Sequence, residues 1–236
     1  MRDLRRRCDW DAAQTHESLR PYLIEEAHEV DEALQSGEDA RLREELGDLW
    51  LQILFHSVIA EERGAFTLQD VAESFITKMK ARHPHLYGDG VREPWEKLKA
   101  RRRDSIAEGL PLGLPSLHRA YRLQDRAAGV GFDWPTTEGP IAKVREELDE
   151  VDVELKHPKP SQERLDAEIG DLLFAVVNLA RKAGVHPALA LGRANKKFEQ
   201  RFQGIERIAA ERGIKVAEAG LAVLDSLWDE VKKTEI

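Results

Sequence analysis

Glu26 and Glu29 lie three residues apart in LIEEAHEVDEAL (23–34), and Glu45 and Asp48 lie three apart in REELGDLWLQILFHSVIA (43–60). On a helix that spacing puts both members of a pair on one side. At about 100° per residue, with Leu23 at zero, Glu26 falls at about 300°, between Ala33 at about 280° and Val30 at about 340°. Glu26 therefore sits on the shoulder of the apolar face and Glu29 near its edge, while Glu25 points away. Four carboxylates from two neighbouring helices, gathered beside a packed core, repel one another and resist desolvation. A divalent cation removes that objection. An all-oxygen set suits Mg²⁺, with Mn²⁺ as the alternative, and Mg²⁺ held by carboxylates keeps sites for substrate phosphates. The competing reading is a solvated acidic face: with 44 acidic residues in 236, four stated positions are all acidic roughly once in a thousand trials. The shoulder placement favours a metal.

The same pattern occurs a second time. Asp9-Trp10 is matched by Asp133-Trp134, 23–34 by VREELDEVDVEL (144–155), and 43–60 by DAEIGDLLFAVVNLARKA (166–183). The two longer matched segments are 121 and then 123 residues apart, so one duplicated helical unit explains them. The second set of acids is Glu147, Glu150, Glu168 and Asp171, with Glu146 turned outward. KMKAR (78–82) sets Lys78 and Arg82 against Lys197 and Arg201 of KFEQR (197–201). Each basic pair is one helical turn apart and is either a phosphate clamp or an ordinary exposed pair.

The elements that must position these residues are helices. Leu23, Ala27, Val30 and Leu34 recur with a helical period, and Val144, Leu148, Val151 and Leu155 repeat them. Leu42, Leu46, Leu49, Trp50 and Ile53 form the next stripe, echoed by Leu165, Ile169, Leu172, Leu173 and Val176. No segment alternates as a strand does. The expected fold is all-α: duplicated helical-bundle units over 1–83 and 129–236, joined by a connector over 84–128. The connector holds Pro84, Pro94, Pro111 and Pro115 with Gly88, Gly90, Gly109 and Gly113. Short helices are expected within it near 94–107 and 116–128, the second running into the Gly129–Gly131 turn.

Charge and composition exclude other classes. Lys and Arg number 36 against 44 Asp and Glu, a net charge of −8, which argues against nucleic-acid binding. The basic run Lys97, Lys99, Arg101, Arg102 and Arg103 after Trp95 reads as a solvated linker helix, with contact to an acidic partner as the alternative. No stretch approaches the roughly 20 apolar residues of a membrane span. MRDLRRRCDW has no apolar core behind its basic residues, so no signal peptide is expected and the protein is placed in the cytoplasm. Cys8 is the single cysteine, which excludes a disulfide within the chain and a cysteine zinc cage. No Gly-x-x-x-x-Gly-Lys loop occurs. Glu25-x-x-His28 has di-iron spacing, but Asp149 replaces the histidine in the second copy. His83 and His85, flanking Pro84, suit capping.

In this order, the motifs resemble those of the MazG family of nucleoside triphosphate pyrophosphohydrolases. Glu25-Glu26-x-x-Glu29 with Glu45-x-x-Asp48, and Glu146-Glu147-x-x-Glu150 with Glu168-x-x-Asp171, carry the likeness. THESLRPYLIEEA, RHPH at 82–85, GVGFDW and NKKFEQRF extend it over nearly the whole chain. The resemblance implies an all-α fold assembled as a homodimer and Mg²⁺-dependent cleavage of an NTP or dNTP between the α and β phosphates, giving NMP and pyrophosphate. It implies that Glu147, Glu150, Glu168 and Asp171 bind metal and that Lys197, Arg201 and Trp228 contact the nucleotide. Glu146 or Glu147 is the candidate proton acceptor. The first copy keeps Glu26, Glu29, Glu45 and Asp48 but lacks a clear match for Trp228. The rival reading is a non-catalytic helical protein that senses nucleotides or docks a partner.

Overall fold

A computed structural model describes residues 1–88 and 104–234. The chain divides into two compact units, Met1–Arg92 and Glu93–Ile236. Among the described residues there are helices and turns and no strand, as the apolar periods require. Most of the helix expected near 94–107, and with it the basic run 97–103, lies outside the described residues. Residues 104–107 are bend and turn rather than helix.

The first unit contains α1 (Arg2–Arg7), α2 (Asp9–Ala13), α3 (Arg20–Ser36), α4 (Asp39–Glu62), α5 (Leu68–Arg82) and α6 (Pro84–Tyr87). The acidic helices α3 and α4 pack side by side. Leu19, Phe55 and Ile59 form a buried core, with Met1 and Leu51 against it. Two ion pairs tie α1 to the end of α4, Arg2–Glu61 at 2.9 Å and Arg5–Glu62 at 2.7 Å. Helix α5 starts at a capping box in which Thr67 and Asp70 exchange side-chain and backbone hydrogen bonds. Those bonds hold the Asp70 carboxyl below the usual range.

The second unit contains α7 (Ser116–Gly129), α8 (Glu138–Lys156), α9 (Gln162–Lys182), α10 (Pro187–Glu211), a 3₁₀ turn (Val216–Glu218) and α11 (Gly220–Thr234). Helices α8 and α9 repeat the α3–α4 pair and make the most extensive helix–helix contact in the unit. Their connection is latched by Glu154, whose carboxylate accepts the Ser161 N–H at 2.8 Å and pairs with Arg164 at 3.2 Å. Helix α7 packs on α9 and α10. It is the second of the short helices expected within the connector. Arg126, buried on α7, donates to the carbonyls of Ile106 and Glu108, each at 2.8 Å, which fixes the incoming chain.

The packing differs from the simplest reading of the stripes. Leu46, Trp50 and Ile53 on α4, and Ile169, Leu173 and Val176 on α9, are exposed. Deeper burial in the second unit falls where α10 meets α11, at Ile205, Ala209, Leu227 and Val231. Gly204 lets those helices approach: a Cβ there would lie 2.9 Å from Val231 Cγ2. Gly204→Val should lower the stability of this unit by about 2 kcal/mol through overpacking, measured as a reduced urea midpoint at unchanged m-value.

Candidate functional site

Glu147 and Glu150 lie one turn apart on α8, and Glu168 faces them from α9. Each offers a carboxylate oxygen within 4.8 Å of the others. Glu147 is 5% exposed, as its shoulder position demands, whereas Glu150 reaches solvent. Lys143, one turn before Glu147, is the neighbouring counter-charge: its Nζ lies 2.6 Å from Glu147 and 2.9 Å from Glu146. The hydrogen bond from Lys143 holds the Glu147 carboxyl below the usual range against the opposing effect of burial. Glu150 is pushed up, first by its hydrogen bond with Glu147, then by desolvation and by the charges of Glu147 and Glu168. The raised Glu150 records the repulsion among these carboxylates, which added positive charge would relieve. Asp171 lies outside the close trio; it borders, with Glu147, a cavity of about 560 Å³.

The first unit gathers Glu26, Glu29 and Glu45 equally closely, within 4.8 Å. Tyr22 stands where the second copy has Lys143. With no lysine there, Glu26 is pushed up by burial and by Asp48, Glu29 and Glu45. Arg41 reaches this group from the side, 3.7 Å from Glu45 and 3.0 Å from Glu32.

The basic pair lies on α10. Lys197 is exposed on α10, and the Arg201 guanidinium stands 5.4 Å from the centre of the Trp228 ring. Trp228 also meets Phe198 at 5.4 Å and packs on the α10–α11 core. Lys197, Arg201 and Trp228 are absent from the described cavity wall. Lys78 is exposed and Arg82 half-buried on α5. His28 is exposed, and His83 caps α5 with Nδ1 2.8 Å from the Met79 carbonyl oxygen.

Sequence reasoning passed over Lys143, the cavity and the clamp beside it. The Lys143–Glu147 spacing of four was a usable signal, and so was the contrast with Tyr22. The clamp is Asp133, paired with Arg181 and with Lys182 at 3.0 Å, both at the end of α9. Burial pushes the Asp133 carboxyl up, but the hydrogen bonds from Arg181 and Lys182 outweigh it and hold the group below the usual range. The preceding turn uses Gly131 at φ 94°, a conformation that favours glycine. Phe132 and Trp134, on either side of Asp133, both line the cavity.

A duplicated all-helical chain with a tight carboxylate trio in each copy belongs to the class of α-helical proteins whose acidic clusters could hold a metal ion. The family model for the MazG nucleotide pyrophosphohydrolase domain matches residues 14–87, the first copy. Over its whole length the chain is 41% identical to the nucleoside triphosphate pyrophosphohydrolase of Escherichia coli K12, covering 94% of that protein. It is 44% identical to the nucleoside triphosphate pyrophosphohydrolase/pyrophosphatase MazG of Thermotoga maritima, over 95% of this chain and 89% of that one. A nucleoside triphosphate pyrophosphohydrolase of Mycobacterium tuberculosis is 41% identical over 56% of this chain and 44% of its own. The chain belongs to the MazG family.

The clamp yields a signed pH dependence. A depressed carboxylate adds stability that is fully present above its unfolded pKa, about 3.9, and is lost as pH falls through the lower folded value. Asp133→Asn should therefore cost about 1 kcal/mol near neutral pH. The gap from wild type, followed by denaturant unfolding, should stay flat above pH about 5 and close as the medium is acidified.

Proposed function

We propose that this chain hydrolyses nucleoside triphosphates, NTP or dNTP, between the α and β phosphates to give NMP and pyrophosphate, with the second copy as the working site. The near-full-length identity to nucleoside triphosphate pyrophosphohydrolases carries the reading. The carboxylate trio, in which Glu150 is pushed above the usual range by its neighbours, supports a divalent metal. Mg²⁺, or Mn²⁺ in its place, fits this all-oxygen set. Glu147, Glu150, Glu168 and Asp171 would hold it in the second copy, and Glu26, Glu29, Glu45 and Asp48 in the first. When bound, the ion supplies positive charge to the polyphosphate oxygens.

The chain's own residues do the rest. A water attacks the α-phosphorus, the bond to the oxygen bridging to the β-phosphorus breaks, and pyrophosphate leaves. Glu146 or Glu147 takes the water's proton. Lys143 orients Glu147 and keeps it ionised. Lys197 and Arg201 meet phosphate oxygens, with the Trp228 ring steadying the Arg201 guanidinium. Two MazG-like units, 1–83 and 129–236 with a connector over 84–128, belong to this reading. So does a homodimer in which a second copy covers the exposed apolar faces of α4 and α9. No described helix is long and apolar enough to cross a membrane. Residence in the cytoplasm and nucleotide-pool housekeeping complete the proposal.

Incubation with a panel of NTPs and dNTPs plus Mg²⁺, followed by chromatography, should yield NMP and pyrophosphate. Glu150→Gln and Asp171→Asn should each reduce kcat/KM by about a hundredfold or more while the circular dichroism spectrum is retained. NDP and phosphate would refute the cleavage site. Nucleotide binding without turnover would favour the sensing role instead.

A further inference from the structure

In the first unit, residues 14–19 carry the chain from α2 into α3. Their polar groups bond mostly among themselves. The Thr15 N–H donates to Ser18 Oγ at 2.9 Å, the Ser18 N–H to Thr15 Oγ1 at 3.1 Å, and Ser18 Oγ to Gln14 Oε1 at 2.8 Å. Two side chains reach α4 instead. Leu19, 1% exposed, enters the core with Phe55 and Ile59. His16 meets His56, with the two Nδ1 atoms 2.8 Å apart and the rings stacked at 13° and 5.1 Å between centres. This contact fastens the start of α3 to the last turns of α4.

Two ring nitrogens at that distance share one hydrogen, so one donates and the other accepts. His56 Nε2 is buried and has no hydrogen-bond partner. An N–H there would find no acceptor, so the His56 hydrogen belongs on Nδ1 and His16 Nδ1 accepts it, with the His16 hydrogen on Nε2. An added proton then has two places to go. On His16 Nδ1 it would set two N–H groups against each other, and on His56 Nε2 it would bury a cationic N–H without an acceptor. The other charges around the pair are already engaged. From α1, Arg5 pairs with Glu62 and donates to the Gln14 carbonyl at 3.0 Å, Asp11 of α2 acts on the same arginine, and Arg2 pairs with Glu61. Within the turn, Glu17 pairs with Arg20 of α3. The residues one turn either way from His56 on α4 are Gln52, Ile53, Ile59 and Ala60, all uncharged. On α5, which packs on α4, Asp70, Glu73, Lys78 and Lys80 are exposed. Burial first, and then the charge of His16, holds the His56 imidazole below its usual range.

We infer that His16 and His56 form an acid-released latch, closed while both imidazoles are neutral and opened when the pair takes up a proton, which frees the turn at 14–19 and the start of α3 from α4. The direction follows from the histidine. A histidine held low in the fold contributes stability that is fully present above its unfolded pKa, about 6.5, and is lost as pH falls below that value toward the folded one. By the duplication, Leu179 stands in place of His56, so this latch belongs to the first copy alone. It joins the two helices that carry Glu26, Glu29 and Glu45, at the end of the pair away from Ser36 and Asp39. The inference does not depend on the triphosphate reading.

The test uses the full chain and two variants, His56→Phe, which keeps a ring in the stack, and His16→Leu. Amide hydrogen exchange is followed by mass spectrometry, corrected for the intrinsic pH dependence of exchange, and the histidine rings are titrated by ¹³C NMR. In wild type, peptides covering 14–24 should lose about tenfold in protection between about pH 7.5 and 5.5, while peptides from α11 stay unchanged. The His56 ring should titrate below about 6.5, over the same interval as that loss. Both variants should be less protected at neutral pH and show no step. No step in wild type, a step of equal size in the variants or in α11, or a His56 midpoint at or above the ordinary value overturns the inference. If circular dichroism shows that one variant is unfolded, the other decides. If both are unfolded, wild type decides: His56 titrating together with the loss of protection supports the latch, and titration apart from it overturns it.

Discussion

Bringing carboxylates together against their mutual repulsion is the constraint on which this structure turns. Two like charges at such separations repel by about 1 kcal/mol in water and by several times that beside a protein surface. Glu147, Glu150 and Glu168 lie within 4.8 Å of one another, and the first of them is buried. Nothing in the trio favours that arrangement, so it has to be imposed by packing elsewhere. The α8–α9 contact, the Glu154 latch between those helices and the seating of α7 on α9 impose it. Lys143 offsets part of the charge, and the rest shows in Glu150, which its neighbours push above the usual carboxylate range. A divalent ion placed among the three would relieve that remaining repulsion.

The two copies show how one scaffold can meet that constraint differently. Both keep the helix pair and the acid trio. The first copy has Tyr22 for Lys143, so Glu26 is raised where Glu147 is lowered. It also places Phe55 in a closed core where the second copy has Asn178 beside a cavity. The acids alone therefore do not distinguish the two copies. The residues that separate them are Lys143, one turn before Glu147, and Asn178, two turns beyond Asp171, both facing the cavity.

That division also explains what could be read from the sequence. Helices, duplication and acid spacing are local patterns, legible because a 3.6-residue period and a three-residue spacing survive without knowledge of the fold. The exposed faces of Leu46, Trp50, Leu173 and Val176 were not legible as such, because periodicity marks an apolar face without saying what covers it. The cavity is a tertiary object: Gln124, Trp134, Lys143 and Asn178 come from three helices and a turn. The segment that supplies Gln124 carries prolines and glycines upstream, a composition that speaks of connection rather than of a wall. Arg201 and Trp228 were legible as a pair through resemblance, while their contact at 5.4 Å is a matter of how α10 meets α11.

The Asp-Trp pair that first revealed the duplication illustrates the limit of motif reading. In the first unit Trp10 stands edge-on to Tyr22 and Phe55, at 6.3 and 6.4 Å, and completes an apolar cluster. In the second unit the same dipeptide meets Arg181 and Lys182 through its aspartate and Gly139 through its indole, and becomes the wall of a cavity. The dipeptide is identical; its neighbours at the end of the following helix are Val58 and Ile59 in one unit and two cations in the other. With no cation at those two positions, Asp9 cannot be tethered as Asp133 is, and the turn is left to be set by aromatic packing. What the pair does is therefore decided by the residues on α4 and α9 that receive it.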